Sequence, residues 1–527
     1  MAPSIGPAIT GSGSGAERDH FGGRASKLSA LLELDESGAA LSLGARWDDW
    51  APDLGERFAT VTRVRRAAEI DAPGAALQLA LVDGDELAAL APAARHAALA
   101  ALMTRLDARG SLLLFSANRL APRRIRRDPS WLLGRGVNGS RPVREMLARA
   151  GASRVEEFFP LPELWNAEEI VADPSTIALP SHASWFDRLV LASGLFPLMH
   201  DGFVHIASRA GGGTRRLRER LGAALGADTD SVMLERFDLR SRGALVLMVR
   251  CAGASTRVVC RVATSAVTDD RIRRNATVTT RVREWPGVSP ELARFLPQAI
   301  GTMALPSGTA YLESLVPGIV AWKLAQPGEV ERRLLGATHD FTRELGRTTV
   351  RETVMTDDAL GELLDASAPL DPATDQRLAA LQRALRARLA GRTAGIVLSH
   401  GDYGYGNVMA NEDGTIAGVI DWDQGRDDLA GVDLVNFLVQ RHSGMQATSP
   451  RHAFEALHGV LVRDGLSGVE PRLDYHVAVT RSFADPALVV AWSALRFVQR
   501  SAGYPALFDD FREEAHGLLE WATGLLA

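Results

Sequence analysis

The chain has 527 residues, 46% of them hydrophobic and 23% charged, with a formal net charge of −5. This length calls for two or three domains with conventional cores. The near-balanced charge excludes a broad attraction to nucleic acid. Two cysteines, Cys251 and Cys260, are too few for a disulfide scaffold, and no apolar run reaches the ~18 residues of a membrane span.

Residues 1–26 are Gly/Ser-rich and lack a signal-peptide core, so a disordered leader and a cytoplasmic protein are expected. Residues 27–209 then alternate strand and helix patterns, which predicts an α/β domain with a mostly parallel sheet. Strands are expected at 39–43, 58–64, 77–82 and 111–116, with a helix over 92–105 before the last of them. A helix at 142–150, a strand at 154–159 and strand segments within 198–208 complete the unit. The phrases Arg109-Gly110-Ser111-Leu112-Leu113-Leu114 and Gly194-Leu195-Phe196-Pro197-Leu198 resemble late segments of class I S-adenosylmethionine-dependent methyltransferases. The resemblance implies a Rossmann-like fold, and the cofactor end departs from it. After strand one the chain reads Leu43-Gly44-Ala45-Arg46-Trp47, with bulky residues where glycines would let a ligand approach. After strand two it reads Thr62-Arg63-Val64-Arg65-Arg66, the wrong charge for binding ribose hydroxyls. The expectation is a degenerate methyltransferase-like domain without S-adenosylmethionine, which docks a substrate, a partner or a second subunit.

The arginines 119, 123, 124, 126 and 127 read as a solvated loop. Gly211-Gly212-Gly213, followed by Thr214-Arg215-Arg216, reads as part of a flexible linker over 210–224. Three successive strands are predicted at 232–239, 244–250 and 256–263, with turns at Ser241-Arg242-Gly243 and Ala252-Gly253-Ala254. A helix over 269–285 and a strand ending at Pro317-Gly318 follow. Further on, Leu378, Leu381, Leu385 and Leu389 recur at spacings of three and four, the mark of a packed helix over 375–392. The last stretch, 486–527, reads as two helices.

The densest chemical signal lies at Ser399–Asp423, SHGDYGYGNVMANEDGTIAGVIDWD. An apolar run leads into His400-Gly401-Asp402, Asn407 follows five residues after Asp402, and Asp421 ends a second apolar run. Asn411-Glu412-Asp413-Gly414 is a turn signal, so 408–420 is predicted to be a hairpin with Asn407 and Asp421 at its open end. Asp402 is placed to accept a hydroxyl proton, and Asn407 and Asp421 offer hard oxygen ligands for Mg²⁺. Phosphoryl transfer asks for this set: an oriented nucleophile and neutralised phosphate charge.

The HGDxxxxN…IDWD pattern resembles that of aminoglycoside phosphotransferase-type kinases, small-molecule relatives of protein kinases, over about residues 215–527. The resemblance implies a bilobal kinase-like α+β fold, with an N-lobe over 225–318 and a C-lobe over 319–527. It makes Asp402 the catalytic base, His400 an organiser of the loop, Asn407 and Asp421 the Mg²⁺ ligands, and Asp433 a structural aspartate. Arg261 on the third strand takes the role of the cation for the ATP α/β-phosphates, with Glu284 or Glu291 as its partner carboxylate. Glu313 to Leu315 becomes the segment that holds adenine. Asp423 is a candidate for the substrate side or a brace for the hairpin. The function this implies is ATP- and Mg²⁺-dependent transfer to a hydroxyl of a small molecule, sugar or glycan. Asp423, Asp427 and Asp428 offer a cationic acceptor some carboxylates, but Arg426 sits among them. Two rivals stand beside it: a silent kinase-like and methyltransferase-like assembly module, and an active methyltransferase with an accessory kinase domain.

Overall fold

A computed structural model describes residues 24–527 apart from 71–74, 119–139, 162–168, most of 173–201, 210, 239–243, 254–256, 325–327, 365–370, 447–448, 470–483 and 503–504. Of the expected leader over 1–26, residues up to 23 lie outside the described residues, while 24–26 instead open the helix Arg24–Leu32. The arginine cluster at 119–127, all but Phe196 of the 194–198 phrase and the turn at 239–243 also lie outside them. The described chain packs as two units. A sheet unit holds residues up to 272 with 300–315, and a helical unit holds 273–299 with 316–527.

The sheet unit is built on β1 Ala39–Leu43, β2 Thr60–Val64, β3 Leu77–Asp83, β4 Leu106–Ala117, β5 Arg154–Leu161, β6 Glu169–Val171, β7 Gly202–Ser208, β8 Val232–Asp238, β9 Leu245–Cys251, β10 Arg257–Val262, β11 Ala299–Leu305 and β12 Gly308–Ser314. They form one sheet in the order β2-β1-β3-β4-β7-β5-β6-β8-β9-β10-β12-β11. The pairs among β1 to β4 are parallel, and β7 runs antiparallel to both β4 and β5. The side-chain pattern changes along the sheet for a physical reason. β3 is buried at every position because both of its faces are covered. Ala80 and Val82 meet Leu99, Leu102 and Leu147 of the helices Pro92–Arg105 and Ser140–Arg149. Leu79 and Leu81 meet Leu28, Leu31 and Trp50 on the other side. By contrast β9 and β10 alternate between buried and half-exposed, the period of a sheet with one packed face.

The strands expected of two separate domains are hydrogen-bonded into this one sheet. The three-residue β6 closes the seam, antiparallel to β5 on one side and to β8 on the other. One apolar cluster runs through both halves, from Leu28 and Leu31 to Val249, Cys260 and Leu312. Arg57 adds a polar tie, donating to the Thr264 carbonyl at 2.7 Å.

The expected linker is also structured. Residues Arg215–Leu225 form a helix whose Leu217 and Leu221 are fully buried, and Gly226 ends it in a left-handed turn at φ 64°. The glycines before it allow close packing. A Cβ on Gly212 would stand 2.5 Å from the Gly110 carbonyl oxygen, and Gly213 N–H donates to Ser111 Oγ at 3.0 Å.

Strand order reverses at β1, with β2 on one side and β3 on the other. In an open α/β sheet the ligand crevice lies at the carboxyl ends of such strands. Here the chain's own side chains occupy it. Arg46 bridges Asp83 at 3.4 Å and Asp85 at 3.2 Å. Trp47 is buried, donates its indole N–H to the Leu43 carbonyl at 3.0 Å, and meets Trp50 and Phe115 edge-on.

The helical unit carries two three-stranded sheets: β13 Ile319–Val320, β16 Val408–Ala410 and β17 Ile416–Val419, and β14 Arg351–Val354, β15 Thr393–Ser399 and β18 Arg426–Leu429. The helix Pro372–Leu389 starts at Asp371, whose carboxylate accepts from the N–H groups of Ala373 and Thr374. Its four leucines are buried against Trp492, Leu495, Leu518 and Leu519 of the helices Pro486–Ala502 and Pro505–Gly524. No helix among the described residues is long and apolar enough to cross a membrane.

Two outcomes test this architecture. A chain that begins at residue 225 strips β8 of its neighbour and half of its core, and is expected to aggregate on expression; a soluble product with a cooperative melt would refute the shared core. Burial raises the Asp83 carboxyl to about 6, against the pull of Asp85 N–H and Arg46. Its folded pKa then lies above the ordinary value near ~4, so Asp83 favours folding most below that value and loses the effect as pH rises through 6. Asp83→Asn should therefore gain melting temperature relative to the wild type between pH 4 and 6. A difference that stays flat across that window counts against the shift.

Candidate active site

β15 delivers the chain into the loop 400–407, and the hairpin β16–β17 brings it back. The turn is possible because Gly401 adopts φ 78°, and a Cβ there would run into the Gln424 carbonyl. Asp433, at the start of the helix Val432–Gln446, fastens this turn. Its carboxylate accepts from Ser399 Oγ at 2.8 Å, His400 N–H at 2.7 Å and Gly401 N–H at 3.0 Å. Burial pushes the Asp433 carboxyl up, and His400 with the three donors pulls it back.

His400 is fully buried. Its Nδ1 accepts from Asp402 N–H at 3.3 Å and its Nε2 lies 2.9 Å from the Ile420 carbonyl, so the hydrogen-bond pattern puts the ring proton on Nε2. The ring rests on Trp422 at 4.5 Å between centroids. His400 thus ties the start of the loop to the return strand. Trp422 is held in turn by its own N–H, which donates to Asn275 Oδ1 at 2.7 Å. Behind the loop, Tyr405 and Arg441 both donate to the buried Glu331, at 3.3 and 2.7 Å.

Asp402 is 29% exposed, and both of its oxygens are engaged. Oδ2 accepts from Asn407 Nδ2 at 3.1 Å, and the same amide nitrogen donates to the Asp402 carbonyl at 2.9 Å. Oδ1 lies 2.8 Å from Arg500 Nη1. With its nitrogen committed to Asp402, Asn407 turns its amide oxygen away from that carboxylate, which is the atom a hard cation takes. Ile420 N–H donates to the Asn407 carbonyl at 2.9 Å, so the hairpin does place Asn407 beside the residue that precedes Asp421. Asp421 itself sits at φ 68°, ψ 60°, a left-handed conformation that is uncommon for a residue other than glycine. Asp423 follows in the short 3₁₀ turn Trp422–Gln424 and is 5% exposed.

In the sheet unit, Arg261 on β10 and Glu313 on β12 share one face. Arg261 is level with Tyr311 and Glu313 with Val259, a diagonal cross-strand pair. Arg261 Nε donates to Glu313 Oε1 at 2.8 Å, with the two side chains 14% and 3% exposed. The structure therefore sets Glu313, expected in the adenine-holding segment, against the arginine expected to pair with Glu284 or Glu291. Glu284 is exposed, just past the helix Ala266–Arg283. Leu315 spends its N–H on the Arg257 carbonyl at 3.0 Å, inside the strand ladder. Burial, then Glu313, raises the Cys260 thiol to about 12, and both cysteines are free.

Arg500 had no signal in the sequence. Arg500 Nη1 also lies 3.5 Å from the Gly401 carbonyl, 99 positions away along the chain.

Residues 239–471 match the model of the Phosphotransferase enzyme family. That segment contains Arg261, Glu313, the whole loop and the hairpin. No curated protein matches the chain. Among solved structures, a thermostable mutant of aminoglycoside phosphotransferase APH(4)-Ia is 14% identical, with a TM-score of 0.37 over 59% of this chain and 98% of its own. Choline kinase from Cryptosporidium parvum Iowa II is 11% identical, with a TM-score of 0.35 over 59% and 94%. Aminoglycoside phosphotransferase APH(3'')-Id from Streptomyces rimosus, in complex with ADP and streptomycin, is 17% identical, with a TM-score of 0.28 over 46% and 90%.

Removing the Asp433 carboxylate leaves the His400 N–H without its acceptor, at roughly 1–3 kcal/mol, and the Gly401 N–H with only the Ser399 hydroxyl at 3.1 Å. Asp433→Ala is expected to lower the melting temperature by several degrees and to reduce turnover without Asp433 touching substrate. A variant with wild-type stability would remove Asp433 as the anchor.

Proposed function

We propose that this chain is an ATP- and Mg²⁺-dependent phosphotransferase acting on a hydroxyl of a small molecule, sugar or glycan. The observation that carries the reading is the single amide of Asn407, which positions the Asp402 carboxylate with its nitrogen and presents its oxygen at the end of the hairpin that leads to Asp421. Asp402 would orient the acceptor hydroxyl and take its proton at a carboxylate oxygen as the acceptor oxygen bonds to the γ-phosphorus and the bond from that phosphorus to the leaving ADP breaks. Asn407 Oδ1 and Asp421 fit a magnesium ion, which usually takes one or two protein oxygens and completes its shell with phosphate and water. When bound, Mg²⁺–ATP supplies the phosphoryl group and neutralises its charge. Arg261, oriented by Glu313, is the proposed cation for the nucleotide phosphates. The burial of Asp423 favours the bracing role over direct contact with substrate.

We further propose that the methyltransferase-like half does not take S-adenosylmethionine. The parallel strands β1 to β4 and the reversal at β1 support the resemblance, and Arg46 and Trp47 in the crevice support the loss. Saturable binding of S-adenosylmethionine at millimolar concentration would overturn this and revive an active methyltransferase.

Calorimetric titration with ATP, with and without Mg²⁺, tests the main reading. Mg²⁺-dependent binding is expected in the wild type and in Asp402→Asn, and is expected to be lost in Asp421→Ala. With an acceptor identified, Asp402→Asn should lower kcat by about 10²–10⁴-fold. Equal ATP affinity with and without Mg²⁺, or unchanged turnover in Asp402→Asn, would sink the assignment.

A further inference from the structure

The carboxylates that follow the hairpin suggest a cationic acceptor, and their partners argue against one. Asp427 accepts from Arg281 at 2.9 Å and pairs with Arg351 at 2.7 Å. Asp428 is held by two nitrogens of Arg496, at 2.8 and 3.1 Å, and by the Trp492 indole N–H at 2.6 Å. The Arg496 and Asp428 side chains are only 4% and 1% exposed. Asp423 is buried. The protein itself neutralises Asp427 and Asp428 and shuts Asp423 away from a ligand.

One neighbouring guanidinium is not neutralised. Arg426 is two residues from Asp428, hence on the same face of β18. It donates to the Gln424 carbonyl at 3.2 Å and to Gln424 Oε1 at 3.4 Å, and among the described residues it forms no ion pair. Facing it are Arg496 and Arg500, one turn apart on the helix Pro486–Ala502, together with Arg274 and Asp428. Burial first, then Arg496, pulls its pKa down to about 10. Arg500 is the residue that reaches Asp402. Arg426 thus shares its surroundings with three further guanidiniums (Arg274, Arg496, Arg500) and with Asp428, which Arg496 already holds, and Arg500 links this group to the proposed base Asp402. A half-buried guanidinium without a carboxylate is unfavourable until an anion arrives. Its planar fork matches a carboxylate or phosphate with two parallel hydrogen bonds.

We propose that the acceptor is an anionic hydroxyl compound, whose carboxylate or phosphate is bound by Arg426 and Arg274 while its hydroxyl lies on Asp402. This rests on the phosphotransferase reading of the same loop. Arg426 then sets specificity twice: it binds the anion, and like-charge repulsion turns polyamines away.

The test uses the full-length protein and three small probes that share a hydroxyl: glycerol 3-phosphate, glycerol and ethanolamine. Calorimetry is expected to give glycerol 3-phosphate at least a tenfold advantage over the other two. Arg426→Gln should remove that advantage, Arg426→Lys should keep part of it, and Arg274→Gln should weaken it a few-fold. Arg274 is exposed, so its substitution reads charge rather than folding. A preference for ethanolamine, no advantage of glycerol 3-phosphate over glycerol, or an advantage untouched by both Arg426→Gln and Arg274→Gln would overturn the proposal. An ATP titration on the same samples separates the two claims. Arg426-dependent anion binding without ATP binding leaves the anion site standing and removes the kinase. ATP binding without any anion preference overturns the anion site alone.

Discussion

Everything at the proposed active site depends on three hydrogen bonds that converge on the carboxylate of Asp433. The loop after β15 must leave the sheet, turn through a positive φ at Gly401 and present Asp402 outward. In doing so it gives up ladder partners for the N–H groups of His400 and Gly401. Buried donors of this kind need an acceptor, and Asp433 serves both, together with the Ser399 hydroxyl. Its place in the first turn of a helix adds favourable donor-end electrostatics. Asp433 thereby fixes where Asp402, the proposed base, can stand.

A related constraint explains the first two hundred residues. A sheet edge left bare invites pairing with other chains, and β8 would be such an edge if the chain began near it. β6 and β5 cover it, and the helix Arg24–Leu32 contributes Leu28 and Leu31 to the core beneath β9 and β10. The N-terminal half therefore has a structural reason to persist even with its crevice filled. Arg46 and Trp47 turn a ligand-binding corner into packing that steadies β1 against β3.

The sequence made legible those features whose chemistry is local. The hairpin, the proposed base and the proposed oxygen ligands lie within about twenty residues, and each proposed role asks for its residue type. The strands β8 to β10 and the leucine face of the helix Pro372–Leu389 follow from periodicity. What escaped is non-local or conformational. Arg500 meets Asp402 across a fold that no spacing announces. β6 is three residues long, too short for any period. Gly211 to Gly213 read as flexibility, while Gly212 answers a close backbone approach and Gly213 a positive φ of 71°. The helix Arg215–Leu225 was within reach: Leu217, Leu221 and Leu225 recur every fourth residue before Gly226, and the arginines at its start masked that signal.

Asn407 shows how much one side chain can couple. Its nitrogen fixes Asp402, its carbonyl pairs with Ile420, and its amide oxygen is left for a cation. The base and the proposed metal site are thus not two sites with independent tolerances but the two ends of one planar amide. Asp421, next to Ile420, holds a left-handed conformation that local preference does not favour, and the paired strands β16 and β17 keep it there. Strain of this kind persists only where the surroundings over-determine it. Arg500 completes the arrangement from the opposite side, gripping the second oxygen of Asp402 while facing Arg426. A carboxylate held at both oxygens has little freedom to rotate, which suits a group that must meet a hydroxyl at one angle.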